Sequence, residues 1–193
     1  MKNILRYASA ARRSWDKEIM EKKLSILVII GSLVLLLDQF TKIWVNHSIV
    51  EGQHISVISR YFDLVHYRNS GAAFGMFAGW LSPWREIFFY VISAVALIFL
   101  IYYFVKTPLS QKGILISLSM ILSGALGNLI DRIFRGNVVD FLLFHWHDKV
   151  AHFSLFGKSY TMELVWPAFN VADSAISVGV VLLILGTMRM NKE

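Results

Sequence analysis

The amino-acid sequence predicts an all-α membrane protein, four transmembrane helices with a small extracytoplasmic β-containing subdomain. Of its 193 residues, 56% are hydrophobic and only 17% are charged, and the apolar residues gather into four blocks. A soluble domain is about 45–50% apolar and about 25% charged. A mean hydropathy of +0.56 is the reverse of the polar, highly charged composition that leaves a chain disordered. The absence of cysteine excludes a disulfide scaffold, a thiol nucleophile and any Cys-ligated zinc or iron–sulfur centre.

The first element is a basic tail, residues 1–23, in which Ile4, Ala8, Ala11, Trp15 and Ile19 recur at helical spacing. That pattern suits a helix lying on an anionic lipid surface. Four spans follow, at about 24–45, 87–105, 113–130 and 168–188. Each approaches the roughly 20 apolar residues that a bilayer core requires. They are too long for barrel strands, so helices must satisfy their backbone in lipid. The first block is not a cleaved leader, because Asp38-Gln39-Phe40-Thr41-Lys42 stands where a small-x-small cleavage site belongs.

Orientation follows from the basic residues. The tail carries Lys2, Arg6, Arg12, Arg13, Lys17, Lys22 and Lys23; the loop between spans two and three carries Lys106 and Lys112; the end, residues 189–193, carries Arg189 and Lys192. Positive residues on short segments mark the cytoplasmic side. Both termini are therefore expected inside, with segments 46–86 and 132–167 outside. The formal charge of +6 then has an explanation in membrane orientation and gives no reason to expect nucleic acid.

In the first outward segment, Ile55/Val57 and Phe62/Leu64 alternate with polar residues between His54 and Tyr67, the signature of short half-buried strands. Trp80 and Trp84 flank Pro83, as at a lipid interface. In the second, Arg135-Gly136-Asn137 reads as a turn.

With this topology, Asp38, Asp131, Asp140 and Asp173 converge near one membrane surface. Asp173 falls five residues inside span four, about 8 Å deep at a rise of about 1.5 Å per residue. A carboxylate at membrane depth is costly unless paired, solvated or protonated, and so marks function. Asn170, Asp173, Ser174 and Ser177 share one helical face of span four, and Gly124, Asn128 and Asp131 a face of span three. Ser119, Ser123 and Gly127 form a row of small residues that lets helices approach closely. Asp140 beside Asp173 would then share a proton, one acting as base toward water while the other polarises a carbonyl.

Five blocks in order carry a resemblance. They are Asp38-Gln39-Phe40-Thr41-Lys42, Arg68-Asn69-Ser70-Gly71-Ala72-Ala73-Phe74, Gly127-Asn128-Leu129-Ile130-Asp131-Arg132, Val138-Val139-Asp140-Phe141 and Phe169-Asn170-Val171-Ala172-Asp173-Ser174. Together they resemble the bacterial lipoprotein signal peptidase (signal peptidase II) family, over residues 24 to about 188. The resemblance implies an inner-membrane aspartyl endopeptidase, without cofactor or metal. Its substrates would be diacylglyceryl-modified prolipoproteins, cut before the lipidated cysteine at the outer face. Asp140 and Asp173 would be the catalytic pair. Asn69, Gly71, Asn128, Arg132 and Asn170 would bind substrate or order the site, supported by Asp38, Lys42 and Asp131. Cyclic peptides of the globomycin type would inhibit it. Two departures stand out: residues 142–166 are longer than the family's usual connection, and residues 1–23 are an extension.

Structural readings stand beside these. Asp173 alone would serve as a helix cap, Asp38 and Lys42 as an i, i+4 ion pair, and Asn128 and Asn170 as interhelical glue. His145, His147 and His152 cluster in the long connection, but no His-Glu-x-x-His accompanies them, which argues against a metal. Transport is the competing function class, since intramembrane acids also line proton pathways. Acids gathered at one surface, without an inverted repeat, argue against it. A non-catalytic scaffold is the third reading.

Overall fold

The computed structural model describes residues 2–70, 82–155 and 158–190. Gly71 and Trp80, both singled out in the sequence, lie outside the described residues. Four helices and four strands follow in the order α1 (Lys2–Ser48), β1 (His54–Ile58), β2 (Phe62–Asn69), α2 (Ser82–Lys106), α3 (Lys112–Arg135), β3 (Val138–Leu155), β4 (Lys158–Val165) and α4 (Val171–Met190). All four helices contain stretches long and apolar enough to cross a bilayer. The basic tail is helical and continues the first span without a break, so α1 is 47 residues, about 70 Å at the usual rise.

Helix α3 is the centre of the bundle and packs against α1, α2 and α4. Its buried residues run from Ile114 to Asp131. The other helices turn apolar side chains outward, as Val28, Leu36, Val95, Phe99, Val181 and Leu185 all show. Exposed aliphatic and aromatic faces of this extent are stable only against lipid.

Close contact between α3 and α4 depends on glycine. A Cβ on Gly124 would stand 2.5 Å from the Ala172 carbonyl oxygen, and one on Gly179 would stand 2.9 Å from that of Ser117. Backbone at that range leaves room only for hydrogen, which is how small residues draw helices together in lipid.

The strands form one antiparallel sheet in the order β1-β2-β3-β4. The first part of β3 pairs with β2, with Tyr67 opposite Asp140 and Asn69 opposite Val138. Its second part turns to β4, from His145 opposite Val165 to Leu155 opposite Lys158. The long connection of residues 142–166 is therefore mostly a hairpin. The alternation between His54 and Tyr67 does produce two strands, but β1 is exposed along its whole length and only β2 is half-buried, with Asp63 and Val65 more deeply buried than Phe62 and Leu64.

Helix α2 starts at Ser82, five residues before the expected Ile87, and two further differences in helix limits bear on the site. Helix α3 runs past Ile130 to Arg135, where Gly136 adopts a left-handed φ of 73° and donates its N–H to the Arg132 carbonyl, a helix-ending conformation that suits glycine. Asp131 thus lies within the helix and does not close it. Helix α4 starts at Val171, three residues later than Ala168, because Phe169 is drawn into the sheet. The Phe141 and Leu142 N–H groups both donate to its carbonyl, and its own N–H donates to Leu142. Asp173 accordingly occupies the first turn of α4 and is not five residues deep.

Candidate active site

The acids converge where the end of α1, the end of α3, the start of β3 and the start of α4 meet. Asp38, Asp131 and Asp140 are buried and Asp173 is half-buried.

Asn170 and Asp173 form a reciprocal cap on α4. The Asp173 N–H donates to Asn170 Oδ1 at 3.0 Å, and the Asn170 N–H donates to Asp173 Oδ2 at 3.3 Å. This is a capping box, with Asn170 at the N-cap and Asp173 at the third helical position. The cap residue is therefore Asn170, and Asp173 belongs both to the cap and to the acid cluster. Because Asn170 Oδ1 is committed to an N–H donor, its Nδ2 faces the other way and donates to Asp140 Oδ1 at 2.8 Å. One residue thus joins Asp140 to Asp173.

Both carboxylates have further partners. Asn69 Nδ2 donates to Asp140 Oδ2 at 3.0 Å, bringing the end of β2 to the site. Asn128 Nδ2 donates to Asp173 Oδ1 at 2.7 Å. Burial, and then the nearby charge of Asp173, push Asp140 from the usual carboxylate range up to about 7, although Asn69, Asn170 and Lys42 pull in the opposite direction. Loss of water penalises the charged form, and a neighbouring carboxylate adds to the penalty.

Behind this pair lies a fully buried ionic cluster. Lys42 Nζ donates to Asp38 Oδ2 at 2.9 Å and Asn128 Oδ1 at 2.9 Å, and it pairs with Asp131 Oδ2 at 3.0 Å. Three N–H bonds meet three acceptors, so the ammonium is satisfied without water. Asp131 also pairs with Arg135, and Gln39 Nε2 donates to Asp38 Oδ2 at 3.0 Å and Asp131 Oδ1 at 3.2 Å. Two carboxylates and two cations balance each other, which is the condition for keeping such charges buried. Arg132 is partly buried, with its guanidinium 5.5 Å from the Phe89 ring centroid and Nη1 donating to the Asn128 carbonyl at 3.3 Å.

The structure therefore brings Asp38, Lys42, Asn69, Asn128, Asp131, Arg132, Asp140, Asn170 and Asp173 together. It does not bring in Ser177, which is exposed. Sequence reasoning missed Gln39 and Arg135. Arg135 stands one turn beyond Asp131, a spacing that signals an ion pair, and Gln39 lies inside a block already singled out.

A second polar cluster occupies the sheet. Asp63 Oδ2 lies 3.4 Å from His54 Nδ1 and 3.2 Å from His145 Nε2, and the Tyr67 hydroxyl is 2.6 Å from His54 Nε2. Burial raises Asp63, but bonds from His145, His54 and Ser56 outweigh it and hold the carboxyl below its usual value. Among the described residues, no group of three or more His, Cys, Asp or Glu side chains is arranged to hold a metal.

Four spans that gather a linked pair of carboxylates at one end define a polytopic membrane protein built around an acid pair. A family profile described as signal peptidase (SPase) II matches residues 30–189. The lipoprotein signal peptidase of Syntrophus aciditrophicus is 38% identical over 174 residues, covering 90% of this chain and 99% of that one. That of Syntrophotalea carbinolica is 40% identical over 164 residues, 85% of this chain and 91% of the relative. A bacterial membrane enzyme solved by the in meso method at 1.9 Å resolution superposes with a TM-score of 0.63 at 31% identity, over 83% of this chain and 91% of the other. The chain belongs to the signal peptidase II family and is an aspartic peptidase of that type.

Proposed function

We propose that this peptidase removes signal peptides from diacylglyceryl-modified prolipoproteins, cleaving before the lipidated cysteine with a water activated between Asp140 and Asp173. The observation that carries this reading is the Asn170 bridge. Its side-chain N–H reaches Asp140, while its backbone N–H and Oδ1 engage Asp173. Two carboxyl groups held by one residue are positioned to act on one water.

Asp140, raised to about 7, carries the proton, and Asp173 is the base. Asp173 takes a proton from water as its oxygen attacks the scissile carbonyl, and Asp140 gives its proton to the carbonyl oxygen. Collapse of the resulting gem-diol returns a proton to Asp140, and Asp173 delivers the other to the leaving amine. No covalent intermediate forms.

Asn69, Gly71, Asn128, Arg132 and Asn170 bind substrate backbone or order the acids, with Asp38, Lys42 and Asp131 in support. The basic flanks put both termini in the cytoplasm and the acids toward the outer face. The lipidated substrate then enters sideways from the bilayer with its acyl chains still in lipid. Cyclic peptides of the globomycin type compete for this site. Residues 24–188 form the peptidase unit, with residues 1–23 and 189–193 as cytoplasmic tails.

The test is a gel-shift assay of a purified diacylglyceryl-modified prolipoprotein with wild type, Asp140→Asn and Asp173→Asn. Cleavage before the lipidated cysteine by wild type alone is expected. Turnover by a folded variant removes that Asp from the mechanism.

A further inference from the structure

We infer that Lys42 is a positioning residue that holds a hydrogen-bond donor on Asp173 by fixing which way the Asn128 amide faces; this rests on the Asp140/Asp173 reading above. A carboxamide can be turned over at little cost unless its neighbours distinguish oxygen from nitrogen. An ammonium does so absolutely, because it donates and never accepts. Lys42 Nζ stands 2.9 Å from Asn128 Oδ1, and Asn128 Nδ2 stands 2.7 Å from Asp173 Oδ1. Turning the amide would set NH2 against NH3+ and an oxygen against a carboxylate, exchanging two attractive contacts for two repulsive ones.

The lysine cannot leave this task. It is fully buried, with Asp38 and Asp131 taking its other two hydrogens from α1 and α3. Among the described residues, its neutral partner is Asn128. That third bond is not needed for charge balance, which Asp38, Asp131 and Arg135 already complete. What it sets is the polarity of the link to Asp173. A second acceptor role strengthens the lock, since Asn170 Nδ2 also approaches Asn128 Oδ1, at 3.3 Å. Asn128 therefore passes the orientation imposed by α1 on to an acid of α4.

The experiment is a double-mutant cycle with the full chain, comparing wild type, Lys42→Met, Asn128→Ala and the double variant on the diacylglyceryl-modified prolipoprotein. Lys42→Met is expected to lower kcat roughly 10- to 100-fold, the cost of a misplaced catalytic group, with KM within about twofold. In the Asn128→Ala background it should cost nothing more, because the residue through which it acts is gone. Lys42→Met leaves two buried carboxylates short of a cation, so the cycle is repeated with Asp38→Asn/Lys42→Met in place of Lys42→Met, because that double variant removes one charge of each sign and leaves Asp131 paired with Arg135. Losses that multiply independently of Asn128, or wild-type kcat in the Lys42 variants, overturn the inference. Asp173→Asn measured in parallel separates the two levels. A folded, active Asp173→Asn sinks the acid-pair reading itself, whereas an inactive one beside an independent Lys42 effect sinks only this step.

Discussion

The backbone N–H of Ala172 donates to Asp38 Oδ1 at 2.9 Å, tying the first turn of α4 to a residue of α1 that lies 134 positions earlier. The first N–H groups of a helix have no partner within it, and here the first span supplies one. The other Asp38 oxygen holds Lys42. Asp38→Ala should therefore destabilise the protein by on the order of 3 kcal/mol, by orphaning a buried N–H and removing one counter-charge of a buried lysine. Asp38→Asn keeps an oxygen for Ala172 but turns its NH2 toward the Lys42 ammonium, so the cap is read in a Lys42→Met background, where Asp38→Asn should cost clearly less than Asp38→Ala. Thermal unfolding in detergent ranks the two; equal melting temperatures would show that the cap contributes nothing.

The glycines of α3 differ sharply in what surrounds them. An added methyl on Gly124 meets backbone at 2.5 Å, whereas one on Gly113 meets nothing within 4 Å. Gly124→Ala must push α4 away from α3 and with it separate Asp173 from Asn128. It should lower the melting temperature and cut cleavage at least about tenfold. Gly113→Ala, gaining helix propensity of up to about 1 kcal/mol, should melt at or above wild type. A Gly124→Ala protein with normal stability and turnover would mean that this close approach is dispensable.

Asp140 makes the protein pH-sensitive in a definite direction. Its folded value of about 7 lies above its ordinary value of 3.8, so the native state favours the protonated form. The corresponding stability is complete below about pH 4 and is lost as pH rises through about 7. Wild type should therefore melt lower at pH 8 than at pH 5, while Asp140→Asn, neutral throughout, loses this part of the difference. With Asp140 as the proton holder, kcat/KM should fall on the alkaline side with a midpoint near 7. A wild-type melting profile that parallels that of Asp140→Asn would contradict the raised value.

Much of this was legible because lipid and pleat impose simple periods. The spans follow from apolar length, β1 and β2 from alternation, and the convergence of Asp38, Asp140 and Asp173 from topology alone. What was not legible depends on long-range backbone pairing. Span four was expected from Ala168, but Phe169 pairs with Leu142 of β3, which moves the helix start to Val171 and leaves Asn170 as the cap. The Asn170-x-x-Asp173 spacing is itself a capping-box signature, hidden by the apolar residues before it. Gln39 and Arg135 look like ordinary polar residues at a helix end until α1 and α3 are packed. Only then do Asp38 and Asp131 face one another across Lys42.

The hairpin of β3 and β4 provides the last test, because its sequence marked it as an addition and its pairing shows where the addition begins. Asp140 is fixed by Asn69 and Asn170, and the adjoining backbone by Phe169 and by β2 up to Phe144. From Val150 opposite Glu163 to Leu155 opposite Lys158, the strands pair, among the described residues, with each other alone. Replacing residues 150–163 by a two-residue type I′ turn such as Asn-Gly keeps His145 opposite Val165 and should leave β2, the start of β3 and the α4 cap in place. Cleavage of the diacylglyceryl-modified prolipoprotein should stay within about threefold of wild type, since a change that leaves the reacting groups in position leaves the transition state unaltered. A rise of tenfold or more in KM with kcat retained would show instead that the hairpin grips the substrate. A matching fall in kcat would show that it supports Asp140.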